Sequence, residues 1–398
     1  MADDLTGAAD TGVQFRRVGV PARVWLGRHA PDAFGATVYD TDTRAAGPAA
    51  AAAAVERIAT LLVPGERVYK KVDSTMRGNV GAEVEALLRA LRRRLAVLAP
   101  AFPANGRTTV DGVQRVGGVP AHLTAVGRDP AHPMRWPTIA GALRAQSRLF
   151  IHLVGLEVVR GEFGPLAKRL ADLSQQPSIV VADAETDDDL RAIAEAVAAL
   201  GHECLPVGSA GLAAHLAAVW GLGSAETGLG TPSLKGSGPG ILFVCGSTNP
   251  RTLEQVRRLP GSPIDAADPD ALEEAVSRLR AGEPAVLSSA VWPAGATAEQ
   301  IAAALGGLVA GVAARARPDA LLLTGGDTAR AVLGALDGHG IELDDELLPG
   351  MPVGRIAGGG LAGTRVITKA GGFGPPDALV RAIRYLRGET TPDEEARR

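Results

Sequence analysis

The stretch "KKVDSTMRGN" places Lys70, Lys71, Asp73, Ser74, Thr75, Arg77 and Asn79 between a short apolar run and a helical pattern. Such a turn can bind a hydroxylated or anionic ligand, because carboxylates accept from hydroxyls while ammonium and guanidinium groups hold carboxylate or phosphate. Three further turns share this character. "ADDLTGAADTG" carries Asp3, Asp4, Thr6, Asp10 and Thr11, "YDTDTRAAG" carries Asp40, Asp42, Thr43 and Arg44, and "APAFPANGRTTVDG" carries Asn105, Arg107 and Thr108. Paired carboxylates such as Asp3 and Asp4 can accept from several hydroxyls, bind a divalent ion or act as a general base. Each turn has a plainer reading as well: Asp4 or Thr6, and Asp73 or Ser74, would serve as helix N-caps. Together the four turns suit a small, hydroxyl-rich acid.

The later turns are of another kind. "VCGSTNPRT", "LLTGGDTARAVLGAL" and "VITKAGGFGPPDAL" place glycine and small hydroxyl residues after apolar runs, among them Ser247, Gly325, Gly326, Asp327, Thr328, Gly371 and Gly372. Glycines between a strand and a helix let backbone N–H groups close on phosphate oxygens, assisted by the helix dipole. No P-loop signature is present. The run Gly358-x-Gly360-x-x-Gly363 precedes an apolar run, whereas a dinucleotide fingerprint follows a strand and opens a helix. Ser209 in "VGSAGLAAHL" is better read as a helix start than as a nucleophile elbow. The seven histidines show no ligand spacing, and no metal site is expected.

The elements that must position these turns alternate. Apolar runs such as "ARVWLG", "ATVYD", "RVYKKVD", "LAVLAP", "LFIHLVG" and "SIVVADA", then "GILFVCGS", "AVLSSA", "ALLLTGGD" and "RVITKAGG", are separated by alanine-rich helical patterns. The expected fold is therefore α/β in two domains, each a mainly parallel sheet flanked by helices. A Gly/Ser/Thr/Pro-rich stretch over 221–240 divides residues 1–232 from 239–398.

Composition narrows the partners. The 398 residues are 46% hydrophobic and 21% charged with a net charge of −3, so neither nucleic acid nor a membrane surface is an expected partner. Two cysteines give no disulfide framework, and a reducing, cytoplasmic setting fits. Only five of the 41 basic residues are lysine, namely Lys70, Lys71, Lys168, Lys235 and Lys369, so a lysine in a polar turn marks a compact ammonium chosen over arginine.

Taken in order, "ADDLTGAADTG", "KKVDSTMRGN", "PAFPANGRTT", "VGSAGLAAHL", "CGSTNPRT", "LLLTGGDTA" and "ITKAGGFG" resemble the four-carbon acid sugar kinase family over nearly the whole chain. The resemblance implies an N-terminal domain binding a tetronate-type acid such as threonate, erythronate or 3-oxo-tetronate. It also implies a C-terminal domain binding ATP with Mg2+, and transfer in the interdomain cleft. It places Asp3, Asp4, Arg44, Lys71, Asp73, Ser74 and Arg77 at the substrate, with Asp4, Asp73 and Lys71 catalytic. Ser247, Gly325 to Thr328, Gly371 and Gly372 fall at the nucleotide, and a homodimer is compatible. On this reading Asp73 or Asp4 takes the hydroxyl proton, while Arg44 and Lys71 hold the carboxylate or the moving phosphoryl group. The family pattern has an apolar strand before "ADDLTGA", which this sequence lacks, so the Asp3–Asp4 loop is expected to lose its anchor. A non-catalytic acid-binding protein and an NAD(P)-dependent hydroxy-acid oxidoreductase are the rival readings.

Overall fold

The computed structural model describes residues 1–27, 34–128, 133–222, 240–247, 249–289 and 295–390. Two compact units emerge, and they are not consecutive in the chain. One comprises Met1–Val18 with Val38–Ala225, the other Gly19–Thr37 with Glu226–Arg398. The expected linker lies mostly outside the described residues. A linear division also assigns residues 19–37 to the first domain, whereas the strand Ala22–Trp25 pairs antiparallel with Gly340–Leu348 of the second unit.

The first unit is built on a five-stranded sheet ordered Lys70–Lys71, Cys204–Gly208, Leu95–Ala99, Ser178–Ala182, Phe150–Val154, parallel throughout. Leu95–Ala99 and Ser178–Ala182 are buried at every residue, as a strand covered on both faces requires. Val84, Leu87, Leu98, Val181 and Val207 meet in one apolar cluster, each such side chain contributing about 1.5–3 kcal/mol on burial. Helices Pro48–Ala59 and Val80–Ala90 pack together, and Leu5–Arg17 is buried along its length through Phe15.

The loss of the Asp3–Asp4 anchor does not occur. Met1 and Ala2 themselves occupy the slot beside Lys70–Lys71: Lys71 N donates to Met1 O at 2.8 Å, Ala2 N donates to Tyr39 O at 2.9 Å, and Thr41 N donates to Ala2 O at 2.8 Å. Two residues suffice because the facing strand is itself only two residues long.

In the second unit the nine-stranded sheet runs Ile264–Asp265, Ala285–Ser288, Ile241–Cys245, Ala320–Thr324, Arg365–Lys369, Met351–Ala357, Gly340–Leu348, Ala22–Trp25, Ala36–Tyr39. Its first five strands are parallel, and the pairings from Arg365–Lys369 through Met351–Ala357 and Gly340–Leu348 to Ala22–Trp25 are antiparallel. The chain enters at Ile241–Cys245, builds outward on one side, then returns to place Ala320–Thr324 on the other. That reversal makes a crevice at the carboxyl ends of these two strands, the place where doubly wound sheets bind ligands. Among the described residues no helix is long and apolar enough to cross a membrane.

Candidate functional site

The charged turns of the first unit converge. Asp4 caps the helix Leu5–Arg17, its Oδ1 accepting from Gly7 N at 3.0 Å and its Oδ2 from Thr6 Oγ1 at 2.7 Å. The same carboxylate also meets Arg44, so the cap and the functional reading hold together. Arg44 Nη1 reaches Asp4 Oδ2 at 2.8 Å and Nη2 reaches Asp4 Oδ1 at 2.7 Å, while Nε and Nη2 take Asp3 Oδ2 and Oδ1 at 2.8 and 2.9 Å. The guanidinium expected to fork a ligand carboxylate thus forks two carboxylates of its own chain.

Asp73 does not cap the following helix, Val80–Ala90, whose N-cap position is Asn79. It closes its own turn, Oδ2 accepting from Thr75 N at 3.2 Å, Arg77 N at 3.3 Å, Arg77 Nε at 2.9 Å and the Thr75 hydroxyl. Oδ1 accepts from Arg77 Nη2 at 3.0 Å and lies 4.0 Å from Arg44. Burial pushes this carboxyl upward, but the Arg77 and Arg44 guanidiniums outweigh it and hold the group well below the ordinary carboxylate range. Met76, inside the turn, has φ +64 and Gly78 has φ +94. A non-glycine residue in the left-handed region costs about 1–3 kcal/mol, which the Asp73 bonds must offset.

Lys71 differs from its neighbours. It is buried, and among the described residues it forms no hydrogen bond or ion pair through its ammonium. Its Nζ lies 2.5 Å from where a Cβ on Gly7 would stand, as does Asp4 Oδ1, so only glycine at position 7 leaves room for both. Ser74 is buried, and its carbonyl accepts from Gln114 Nε2 at 2.6 Å. A cavity of about 310 Å3 opens beside this cluster, lined by Arg44, Arg77, Asn79, Gln114, Met134 and Trp136. Arg107 follows a short 3-10 turn, its pKa lowered by burial. Ser209 is the N-cap of Ala210–Val219, its Oγ accepting from Gly211 N at 3.0 Å and donating to Ala101 O at 2.6 Å.

In the second unit the glycine turns gather at the crevice. A Cβ on Gly371 would stand 2.3 Å from Ser247 Oγ, and one on Gly325 would stand 3.9 Å from Ser247 Cβ and 3.7 Å from Thr328 Oγ1. Gly325 has φ +94 and opens the helix Gly326–Ala335 with no side chain capping it, so the first amides of that helix face the crevice. This glycine-lined cradle fits phosphate oxygens. Asp327 is exposed in the first turn of that helix. Lys369 lies beneath the cradle, fully buried, donating to the carbonyls of Ala370, Gly371 and Phe373 at 3.0, 3.2 and 3.3 Å. The run Gly358–Gly363 joins strands Met351–Ala357 and Arg365–Lys369 and opens no helix, so it is not a dinucleotide turn. Sequence reasoning missed the roles of Lys70, Glu83, Gly7 and Lys369, because a lysine at the end of an apolar strand carries no sign of which carbonyls it will meet.

A model of a sugar-binding N-terminal domain matches residues 1–216, and one of a nucleotide-binding C-terminal domain matches residues 242–379. A D-threonate kinase of Bordetella bronchiseptica is 36% identical, over 97% of this chain and 96% of that protein. The chain belongs to the four-carbon acid sugar kinase family. Within the family, a D-erythronate kinase of Heliobacterium modesticaldum is 30% identical over 99% of both chains. A solved Haemophilus influenzae structure shares the fold with a TM-score of 0.73 at 24% identity, covering 97% of this chain and 99% of that one. As a member of the family the chain is a phosphotransferase with an alcohol group as acceptor.

Proposed function

We propose that this kinase transfers the γ-phosphoryl group of ATP to a hydroxyl of a four-carbon sugar acid, with threonate, erythronate and 3-oxo-tetronate as the candidates. The observation that carries the reading is Lys71. Asp3 and Asp4 lie close enough to act on its charge, but among the described residues none of their oxygens bonds it, and a buried ammonium with no direct partner is costly unless a ligand supplies one. The arginines around it are already paired, which leaves Lys71 to receive the acid's carboxylate or the migrating phosphoryl group.

The carboxylates divide by capacity. Both oxygens of Asp4 are engaged twice, whereas among the described residues Asp73 Oδ1 accepts only from Arg77 within hydrogen-bonding range. Asp73 therefore keeps a lone pair for the substrate hydroxyl and orients it for attack. Its depressed pKa makes it a weak proton acceptor in the resting site, which a loose phosphoryl-transfer transition state tolerates. Arg44 fixes Asp3 and Asp4, and Arg77 with Ser74 completes the acid-binding turn.

When bound, ATP supplies the phosphoryl group that the hydroxyl attacks. The amides of Gly325, Gly326, Gly371 and Gly372 and the hydroxyls of Ser247 and Thr328 would hold its phosphates, with Asp327 the nearest acid in those turns. Among the described residues no group of three or more His, Cys, Asp and Glu could hold an ion, so Mg2+ would bind chiefly through the phosphates. The chemistry requires both sets of turns to address one phosphoryl group in the reacting state.

The test is a coupled ADP-release assay with MgATP across the three acids. One acid should turn over with kcat/KM of about 10⁴ M⁻¹s⁻¹ or more, the lower bound for a typical enzyme. Asp73→Asn should lower kcat on that acid by roughly 100-fold or more. Failure of all three acids with MgATP sinks the substrate assignment, and unchanged turnover in Asp73→Asn removes Asp73 from the hydroxyl.

A further inference from the structure

Behind the charged turns lies an ion pair that touches neither the cavity nor solvent. Lys70 Nζ and Glu83 Oε2 are 2.8 Å apart, with side-chain exposures of 0% and 1%. A sealed ion pair is a poor way to gain stability, because desolvating both charges offsets most of their attraction and apolar residues of similar volume do as well. Its purpose is better sought in the directions of its remaining bonds.

Those bonds go to the two residues that place the site's cations. Lys70 Nζ donates to the carbonyl of Lys71 at 2.8 Å, fixing the peptide from which the unpaired ammonium extends. On the other side Glu83 Oε1 accepts from the hydroxyl of Thr43, the residue before Arg44. Asn79, one helical turn before Glu83 and on the same face, donates to the carbonyls of Thr43 at 2.9 Å and Ala46 at 2.8 Å, bracketing Arg44. The first turn of the helix Val80–Ala90 therefore grips both the 43–46 turn and the end of the strand Lys70–Lys71.

We propose that Glu83, through its buried pair with Lys70 and its bond to Thr43, is a positioning residue that sets Lys71 and Arg44 relative to one another. The inference rests on the kinase reading for its catalytic consequence, though not for its geometry. Glu83 touches no substrate. It acts on the acid-binding half only and leaves the glycine turns alone.

The double variant Lys70→Met/Glu83→Leu removes the pair while keeping a packed apolar interior. We expect it to melt at or above the wild-type temperature, yet to lose about tenfold or more in kcat/KM for the acid, since misplacement by an ångström costs up to about 100-fold. The KM for ATP should stay within twofold. A structural role alone would not move one substrate and spare the other. A second readout needs no turnover: with lysine labelled at Cε, five lysines give five NMR signals, and Lys71 is identified by its disappearance in Lys71→Met. In the double variant that signal should shift and broaden. A well-folded double variant with an unmoved Lys71 signal and wild-type kinetics overturns the proposal. Should the double variant fail to fold, Thr43→Val deletes the bond to Glu83 together with the contact of the Thr43 hydroxyl to Thr41 Oγ1 at 2.8 Å, and leaves the Lys70–Glu83 pair in place. It should raise the acid KM about threefold or more with ATP unaffected, and wild-type kinetics there overturns the proposal equally. A wild type inactive on every acid would instead sink the substrate assignment, and the Lys71 signal would still decide the positioning.

Discussion

Lys71 is the residue at which stability and function pull in opposite directions. Among the described residues its buried ammonium has no hydrogen bond or ion pair, only the nearby charges of Asp3 and Asp4, so the folded chain carries a cost that a ligand anion relieves. Lys71→Met should raise the melting temperature while lowering kcat/KM for the acid by roughly 100-fold or more, both measurable on one preparation. A variant that melts lower and turns over normally would show the ammonium to be satisfied within the protein. Gly7→Ala probes the same spot from the helix side. Alanine favours a helix by up to about 1 kcal/mol over glycine, but its methyl would meet Asp4 Oδ1 and Lys71 Nζ. Stability should change little while the acid KM rises severalfold, and an unaltered KM would mean that neither group needs its observed place. The residue types of this site were legible in the sequence: Asp3, Asp4, Arg44, Lys71, Asp73 and Arg77 do meet. Their pairing was not, because which carboxylate saturates which guanidinium depends on distances between turns up to 41 residues apart.

Among the elements, the strand Arg365–Lys369 shows most clearly how position at a strand end becomes function. Its last residue is the buried lysine that ties down the 370–373 turn, and burial, reinforced by Arg251 and opposed by Cys245, pulls its pKa down to about 8 from an ordinary value near 10.5. The sign follows directly. Between pH 8 and 10.5 the unfolded chain binds more protons than the folded one, so this group's contribution to stability rises with pH across that window. Below pH 8 the full cost of the buried charge is present. Nucleotide binding should move the other way, since the neutral amine has fewer donors for the carbonyls it organises. Raising pH from 7 to 9.5 is expected to increase the ATP KM, and Lys369→Met should flatten that dependence while raising the KM throughout. A flat wild-type profile would mean that the turn holds without the charge. Most strands here were readable as apolar runs. Cys204–Gly208 was not, because Pro206 argues against a central strand. Pro206 is accommodated because Lys70–Lys71 pairs only with Val207 and Gly208, leaving it one neighbouring strand. The strand Gly340–Leu348 was missed for a different reason: its run of Asp344, Asp345 and Glu346 sits half-buried and breaks the apolar pattern.

At the scale of the whole molecule, the sequence suggested two beads on a string and the chain is instead laced. After the first helix it crosses into the second unit, lays down Ala22–Trp25 against Gly340–Leu348, and returns through Ala36–Tyr39. No local signal announces this, since Ala22–Trp25 is an ordinary apolar strand whose partner lies more than 300 residues away. The lacing predicts how the chain can be divided. A fragment beginning at residue 239 keeps the crevice and its glycine turns but loses Ala22–Trp25, which covers the edge of Gly340–Leu348, and Ala36–Tyr39 beyond it. An uncovered edge pairs with other chains, so the fragment alone should elute from size-exclusion chromatography as oligomers or aggregate. Adding a peptide of residues 19–37 should restore a monomeric species, and thermal stabilisation by MgATP should return with it. A fragment that is monomeric and binds MgATP without the peptide would show that the strand pairing is an ornament of the second unit instead of a condition for its folding.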